Sequence, residues 1–340
     1  MGSQSIVDHA RRHTTVRAKA PVFVLGCGRS GTTLLYHMLL SAGGFAIYRA
    51  ESNAINLLEP RFGNLSLKRN KERLMDAWLA SKLFERSGLV AETIKAKVLA
   101  ECRNGGDFLR ILMEEIARNQ GVDRWAECTP EHLLHLPRIK EKIPDALVIH
   151  IIRDGRDVAL SNAKLEYVTQ AWWDHSPSVL ACGLYWEWIV RRGRADGSKL
   201  GADYIEVRFE DLILNPRSVL ARLGVFIEQD LDYDRIKQVG IGSIREPNTS
   251  FADETEGEFN PIGRWKKGFT PKLLATFEGL VGGLLQELGY EVGITDARLL
   301  NRPELKRKRA LYKTYFDIKL WLKAKTPLGK VLVTKDLSWL

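Results

Sequence analysis

The stretch Pro21-Val22-Phe23-Val24-Leu25-Gly26-Cys27-Gly28-Arg29-Ser30-Gly31-Thr32-Thr33-Leu34-Leu35 reads as a buried strand, a glycine-rich turn and the opening of a helix. Gly26 and Gly31 have the separation of a phosphate-binding loop, but Thr32 stands where a Walker motif carries its lysine. The glycines permit a tight turn, and the amides of Ser30, Gly31, Thr32 and Thr33 are expected to face an anion at a helix N-terminus, where the helix dipole adds attraction. In a nucleotide triphosphatase the lysine neutralises the outer phosphates and the next hydroxyl holds magnesium. This loop instead places its cation at Arg29, before the second glycine. That arrangement predicts a seat for a phosphate or sulfate that works without a metal.

Outward from the loop, the chain alternates strands with helices. Thr32 to Ala42 has a helical pattern ended by Gly43-Gly44, and Phe45 to Tyr48 reads as a second strand delivering Glu51 into a loop. Residues 65–119 read as a helical insertion covering the sheet. Arg124 to Cys128 reads as a third strand, followed by a helix from Glu131 to Ile143. Ala146 to Ile152 is a continuous apolar run, as a central parallel strand covered on both faces requires. Asp203 to Phe209 reads as a further strand, and helices are expected over 210–227 and 271–288. The polar, glycine-containing stretch 242–268 reads as a functional loop. The pattern predicts an α/β fold, a P-loop-type parallel sheet flanked by helices, with ligands outside the carboxyl ends of the strands. The loop after the first strand, Glu51, Arg153 and Phe209 all fall at such ends. The boundaries expected are a tail over 1–20, one domain over 21–298 and a C-terminal extension over 299–340.

Composition restricts the function. With 340 residues, 45% of them hydrophobic and 27% charged, the chain reads as a globular α/β domain. Its net charge of +9 is uneven: residues 302–340 hold eleven Lys/Arg against three Asp/Glu, a surplus of eight. A nearly neutral body with a basic tail does not read as a nucleic-acid binder. The four cysteines, Cys27, Cys102, Cys128 and Cys182, form no metal or redox spacing, so a reducing, cytoplasmic setting is expected. The basic segment Lys306 to Arg309 leads into a helix read as amphipathic, with Leu311, Tyr312, Phe316 and Trp321 against lysines. Such a helix packs on the domain or makes a peripheral membrane contact.

The loop Gly26 to Leu35, taken with Ile152-Arg153-Asp154-Gly155-Arg156-Asp157-Val158-Ala159-Leu160-Ser161, resembles the sulfotransferases that use 3′-phosphoadenosine-5′-phosphosulfate (PAPS), above all their tyrosylprotein and bacterial branch. The resemblance runs from about Pro21 to Tyr290. It implies that Arg29, Ser30, Gly31, Thr32 and Thr33 bind the 5′-phosphosulfate and that Arg153 and Ser161 bind the 3′-phosphate. It implies an adenine contact at Phe209 and a closing loop at Gly263-Arg264-Trp265-Lys266. Glu51 stands where that branch has its catalytic base, and Arg29 would stabilise the leaving oxygen. The acceptor is expected to bear a hydroxyl. Cys128 replaces a lysine that relatives often carry in Glu-Lys-Thr-Pro, and 258–260 lack the basic residues of the cytosolic branch. His132 and His135 are the reserve candidates for the base, and Arg156 reads as a surface ion-pair partner. Two rival readings stay open: an ATP-dependent small-molecule kinase, and an inactive nucleotide-binding scaffold.

Overall fold

The strand before the glycine-rich turn, β1 (Val22–Leu25), runs through the middle of the molecule. The others described are β2 (Phe45–Ala46), β3 (Arg124–Glu127), β4 (Leu147–Ile152) and β5 (Tyr204–Arg208). They form one sheet in the order β2-β3-β1-β4-β5, and every neighbouring pair is parallel. Val22 is in register with Ala126 on one side and Leu147 on the other. The computed structural model describes residues 17–246, 260–293 and 302–332, so residues 1–16 of the expected tail over 1–20, residues 247–259 of the expected functional loop over 242–268 and the expected boundary at 298/299 lie outside them.

Each central strand is apolar on both faces because helices cover both. Phe23, Leu25, Val148 and Ile152 join a core shared with the helical insertion and the helix Ser178–Gly197. Val22, Val24, Ile149, Ile151 and Val207 join a second core, built with the helices Thr32–Ala42 and Pro216–Ile227. The insertion over 65–119 is helical, with segments at Lys68–Leu79, Lys82–Glu85, Ala91–Glu101 and Gly105–Asn119. Asn104 caps the last of these by accepting from the Asp107 amide at 3.0 Å.

Prolines redraw two expected helices. The segment after β3 is a 3₁₀ turn, Pro130–His135, followed by the helix Leu136–Lys142 with Pro137 in its first turn. The segment after β5 is a short helix, Phe209–Leu214, then Pro216–Ile227. Proline lacks the N–H that would continue the preceding ladder, so each break follows from the residue itself. Phe209 consequently opens a helix rather than ending a strand.

The C-terminal helix Pro303–Lys325 docks on the domain through Tyr312 and Phe316, which join the first core. Tyr312 Oη donates to Asp174 at 2.7 Å, and Lys308 bridges to the same carboxylate at 2.9 Å. Its outer face carries Leu311, Ile318 and Trp321, so it is apolar on two sides rather than lysine-covered on one. Among the described residues no helix is long and apolar enough to cross a membrane.

Candidate functional site

The turn after β1 is held in a conformation most residues avoid. Gly31 has φ +94° and Arg29 has φ +72°, a left-handed setting that costs a non-glycine residue roughly 1–2 kcal/mol. The Ser30 amide donates to the Cys27 carbonyl at 3.1 Å, which closes the turn. That amide is therefore spent on the loop itself, contrary to the sequence expectation. The amides of Thr32, Thr33 and Leu34 open the helix Thr32–Ala42 ahead of its first intrahelical bond, which the Leu35 amide makes to the Gly31 carbonyl at 3.1 Å.

β4 brings a second cation to the same turn. Arg153 Nη1 donates to the Arg29 carbonyl at 3.0 Å, and Arg29 Nε donates to Ser161 Oγ at 3.0 Å, two turns into the helix Gly155–Lys164. Burial and then the neighbouring Arg153 pull the Arg29 guanidinium below its ordinary value, while Glu51 acts against them. Two guanidiniums held this close form a ready receptor for a multiply charged anion. Ser30 Oγ and Arg153 Nε are buried with no partner among the described residues. An unpaired buried donor is costly, and a phosphate or sulfate oxygen would satisfy it.

Phe209 lies beneath this pair. Its ring has the Arg153 guanidinium 4.6 Å above its centre and packs so tightly on the turn that a Cβ on Gly31 would lie 2.4 Å from Cδ2. At 4% exposure it is the floor of the loop, without the open face that stacking on adenine would require. Arg153 also donates to the Pro261 carbonyl. The adjacent backbone is pinned by Asp157, whose carboxylate accepts from the Gly263 amide at 2.9 Å and the Trp265 amide at 2.8 Å. Gly263, Arg264 and Trp265 thus lie against the start of the Gly155–Lys164 helix. The Trp265 ring covers Arg156 at 3.8 Å. Arg156 is no surface residue: it is buried between Asp154 and Glu278, at 2.8 Å from each.

Glu51, Thr33 and Cys128 line one cavity of about 740 Å³ beside the turn. Glu51 is exposed there, and the next residue anchors it: Ser52 Oγ donates to Glu127 at 2.8 Å. Glu127 is buried at the end of β3 and also accepts from Thr129 and from His132 Nδ1, the latter at 3.0 Å. Burial pushes its carboxyl up, but His132, Thr129 and Ser52 outweigh this and hold it below the usual carboxylate range. Both His132 nitrogens are engaged, since Nε2 accepts from the Ile55 amide at 3.3 Å. His132 therefore supports the Glu51 loop and has no lone pair left to act as a base. His135 is buried elsewhere, beside Arg192 and Leu320. Cys128 is a neutral thiol, pushed well above its ordinary value by burial and Glu127, so it supplies no positive charge.

Among the cavity residues not singled out from sequence are His37, Arg49 and Arg86. His37 lies one helical turn beyond Thr33, and that spacing is the signal that could have found it. Its Nδ1 accepts from the Ser243 amide at 2.9 Å, and burial and Arg49 push its pKa down to about 4.

The carboxyl edge of the parallel sheet thus carries a glycine-rich loop with Arg29 on it, Arg153 docked against it from the end of β4, and the carboxylate of Glu51 beside it. The model of the sulfotransferase family matches residues 21–233, well over half of the chain. The chain belongs to the sulfotransferase family. This sulfotransferase shares its fold with the sulfotransferase domain of the Synechococcus PCC 7002 olefin synthase. The TM-score is 0.52 at 19% identity, covering 80% of this chain and 95% of that one. The sulfotransferase domain from the curacin biosynthetic pathway gives 0.48 at 16% identity, over 80% of this chain and 98% of that one. A sulfotransferase from Mycobacterium tuberculosis H37Rv gives 0.42 at 21% identity, over 74% and 77%. No curated protein sequence matches the chain.

Proposed function

We propose that this sulfotransferase moves a sulfuryl group from PAPS to a hydroxyl acceptor by in-line displacement. One observation carries the reading: Arg29 and Arg153 meet at a single loop, joined through the Arg29 carbonyl, with Ser161 on the Arg29 side chain. The seat thus offers both guanidiniums to one nucleotide. Arg29, the first-turn amides of Thr32 and Thr33, and Ser30 Oγ hold the 5′-phosphosulfate. Arg153 and Ser161 face the 3′-phosphate, and Gly263, Arg264 and Trp265 close the nucleotide side. Phe209 positions Arg153 from below.

The acceptor occupies the cavity lined by Glu51 and Thr33. Glu51 takes the hydroxyl proton as the acceptor oxygen bonds to sulfur. The bond from sulfur to the bridging phosphate oxygen breaks, and Arg29 neutralises the charge left on that oxygen. A positioned donor of this kind is worth about 3 kcal/mol in the transition state.

The test couples transfer to binding. Labelled PAPS offered with a panel of phenols, sugars and hydroxylated lipids should give a sulfated product. Glu51→Gln should lower kcat by roughly 10²–10⁴-fold while leaving the affinity for 3′-phosphoadenosine-5′-phosphate (PAP) unchanged. Tighter binding of ATP with magnesium than of PAP would overturn the donor assignment in favour of a kinase. PAP binding without turnover on any acceptor would mark a scaffold, and equal turnover by Glu51→Gln would remove the base.

A further inference from the structure

The C-terminal helix buries one face and leaves a second apolar face uncovered. Leu311 is 46% exposed and Ile318 52%, and Trp321, at the edge of the crevice between the helix and Arg192, is 58% exposed. Leu311 and Ile318 are seven residues apart, hence on one stripe, and Trp321 follows within one further turn. The stripe continues onto the neighbouring loop, where Trp172 is 86% exposed. Trp172 stacks edge-on against Trp173 at 5.7 Å, and Trp173 does the same with Tyr315 of the helix at 5.3 Å. Two solvent-exposed tryptophans beside aliphatic side chains are expensive to leave in water and mark a surface that is covered in use.

The charges around this face select what covers it. Lys306, Arg307 and Lys325 are exposed on the same helix and have no ion pair among the described residues. Of the two acidic residues on the helix, Asp317 is already occupied by Trp188, Arg192 and Lys313, and exposed Glu304, in the first turn, is outnumbered by these cations. A second copy of the chain docked here would set cations against cations. An anionic lipid headgroup layer offers the opposite sign to the cations and an apolar layer beneath for the tryptophans. Tryptophan at that depth, with basic residues alongside, is the composition of a helix lying in a membrane interface.

We propose that the face formed by Trp172, Leu311, Ile318 and Trp321 rests on the surface of an anionic lipid bilayer. The helix lies parallel to that surface while Tyr312 and Phe316 keep it fixed to the domain. The sulfotransferase is thereby a peripheral membrane protein, and the proposal is independent of which nucleotide the active site takes.

Co-sedimentation of the full chain with phosphatidylcholine vesicles, with and without phosphatidylglycerol, tests this. Binding is expected only with phosphatidylglycerol and should be reversed by high salt. Each cation near an anionic leaflet changes binding about fivefold, so Arg307→Gln with Lys325→Gln should weaken it roughly twenty-five-fold. Trp172→Ala with Trp321→Ala should weaken it about tenfold or more, with melting temperature and PAP affinity unchanged. Equal binding to both vesicle types, or unchanged binding by both variants, would overturn the proposal. So would a dimer in sedimentation equilibrium that the tryptophan variant dissolves.

Discussion

Gly31→Ala tests whether the phosphate loop and its floor form one unit. The new Cβ would lie 2.4 Å from Phe209 Cδ2 and 2.7 Å from Cε2, about an ångström inside ordinary contact. The site has no spare room, because Phe209 is buried and has the Arg153 guanidinium 4.6 Å above its ring. Overpacking of this kind costs about 1–3 kcal/mol. The backbone adds its own cost, since φ +94° is unfavourable for alanine by roughly 1–2 kcal/mol. A chain of this size should then melt roughly 3–7 °C lower. PAP affinity, followed by isothermal titration calorimetry, should fall at least about tenfold, because displacing the ring by an ångström moves Arg153 with it. Phe209→Leu, combined with Gly31→Ala, isolates the contact in a double-mutant cycle. The pair should be less destabilised than the sum of its members by more than about 0.5 kcal/mol. Strict additivity, or a Gly31→Ala protein that melts and binds as wild type, would show that the floor does not act on the loop.

Two further outcomes follow from the same geometry. Asp157→Ala removes the acceptor of the Gly263 and Trp265 amides; PAP affinity should fall by up to about thirtyfold and limited proteolysis near Gly263 should accelerate, each of the two lost bonds being worth roughly 1 kcal/mol. His37 is held neutral, with its pKa depressed to about 4, so the unfolded chain binds a proton first as pH falls. Stability from this residue is complete above about 6.5 and is lost between there and about 4; His37→Asn should flatten that part of the pH–stability curve measured by urea unfolding, and an imidazole titrating near 6.5 by NMR would contradict it.

The sheet was legible because its strands are short apolar runs that stop at glycine or charged residues. Val22–Leu25 and Leu147–Ile152 fall within a residue of the boundaries read from sequence. The helix Thr32–Ala42 is bounded by Gly31 and Gly43, and both ends were readable for that reason. Helix continuity was less legible, since Pro137 and Pro216 break patterns whose apolar spacing runs through them. At the site, the meeting of Arg29 and Arg153 followed from parallel topology, which puts successive strand ends on one edge, whereas Ser161, inside a helix, was expected only from the family resemblance. The role of Phe209 did not follow. Whether a ring offers its face or is capped by a guanidinium depends on a neighbour 56 residues away in sequence, Arg153. The support of Glu51 by Glu127 and His132 is equally non-local, because buried carboxylates announce themselves only through the partners that satisfy them.

The position of β1 in the sheet carries a consequence for biosynthesis. Val22 pairs with Ala126 on one side and Leu147 on the other, so β1 waits for partners made more than a hundred residues later. At about 5–20 residues per second, that interval lasts roughly 6–25 s. During it Val22, Phe23, Val24 and Leu25 are an apolar segment of the nascent chain that lacks both of its sheet neighbours. The strand that later carries the anion seat is thus a segment that a holdase would shield on the ribosome until β3 and β4 emerge.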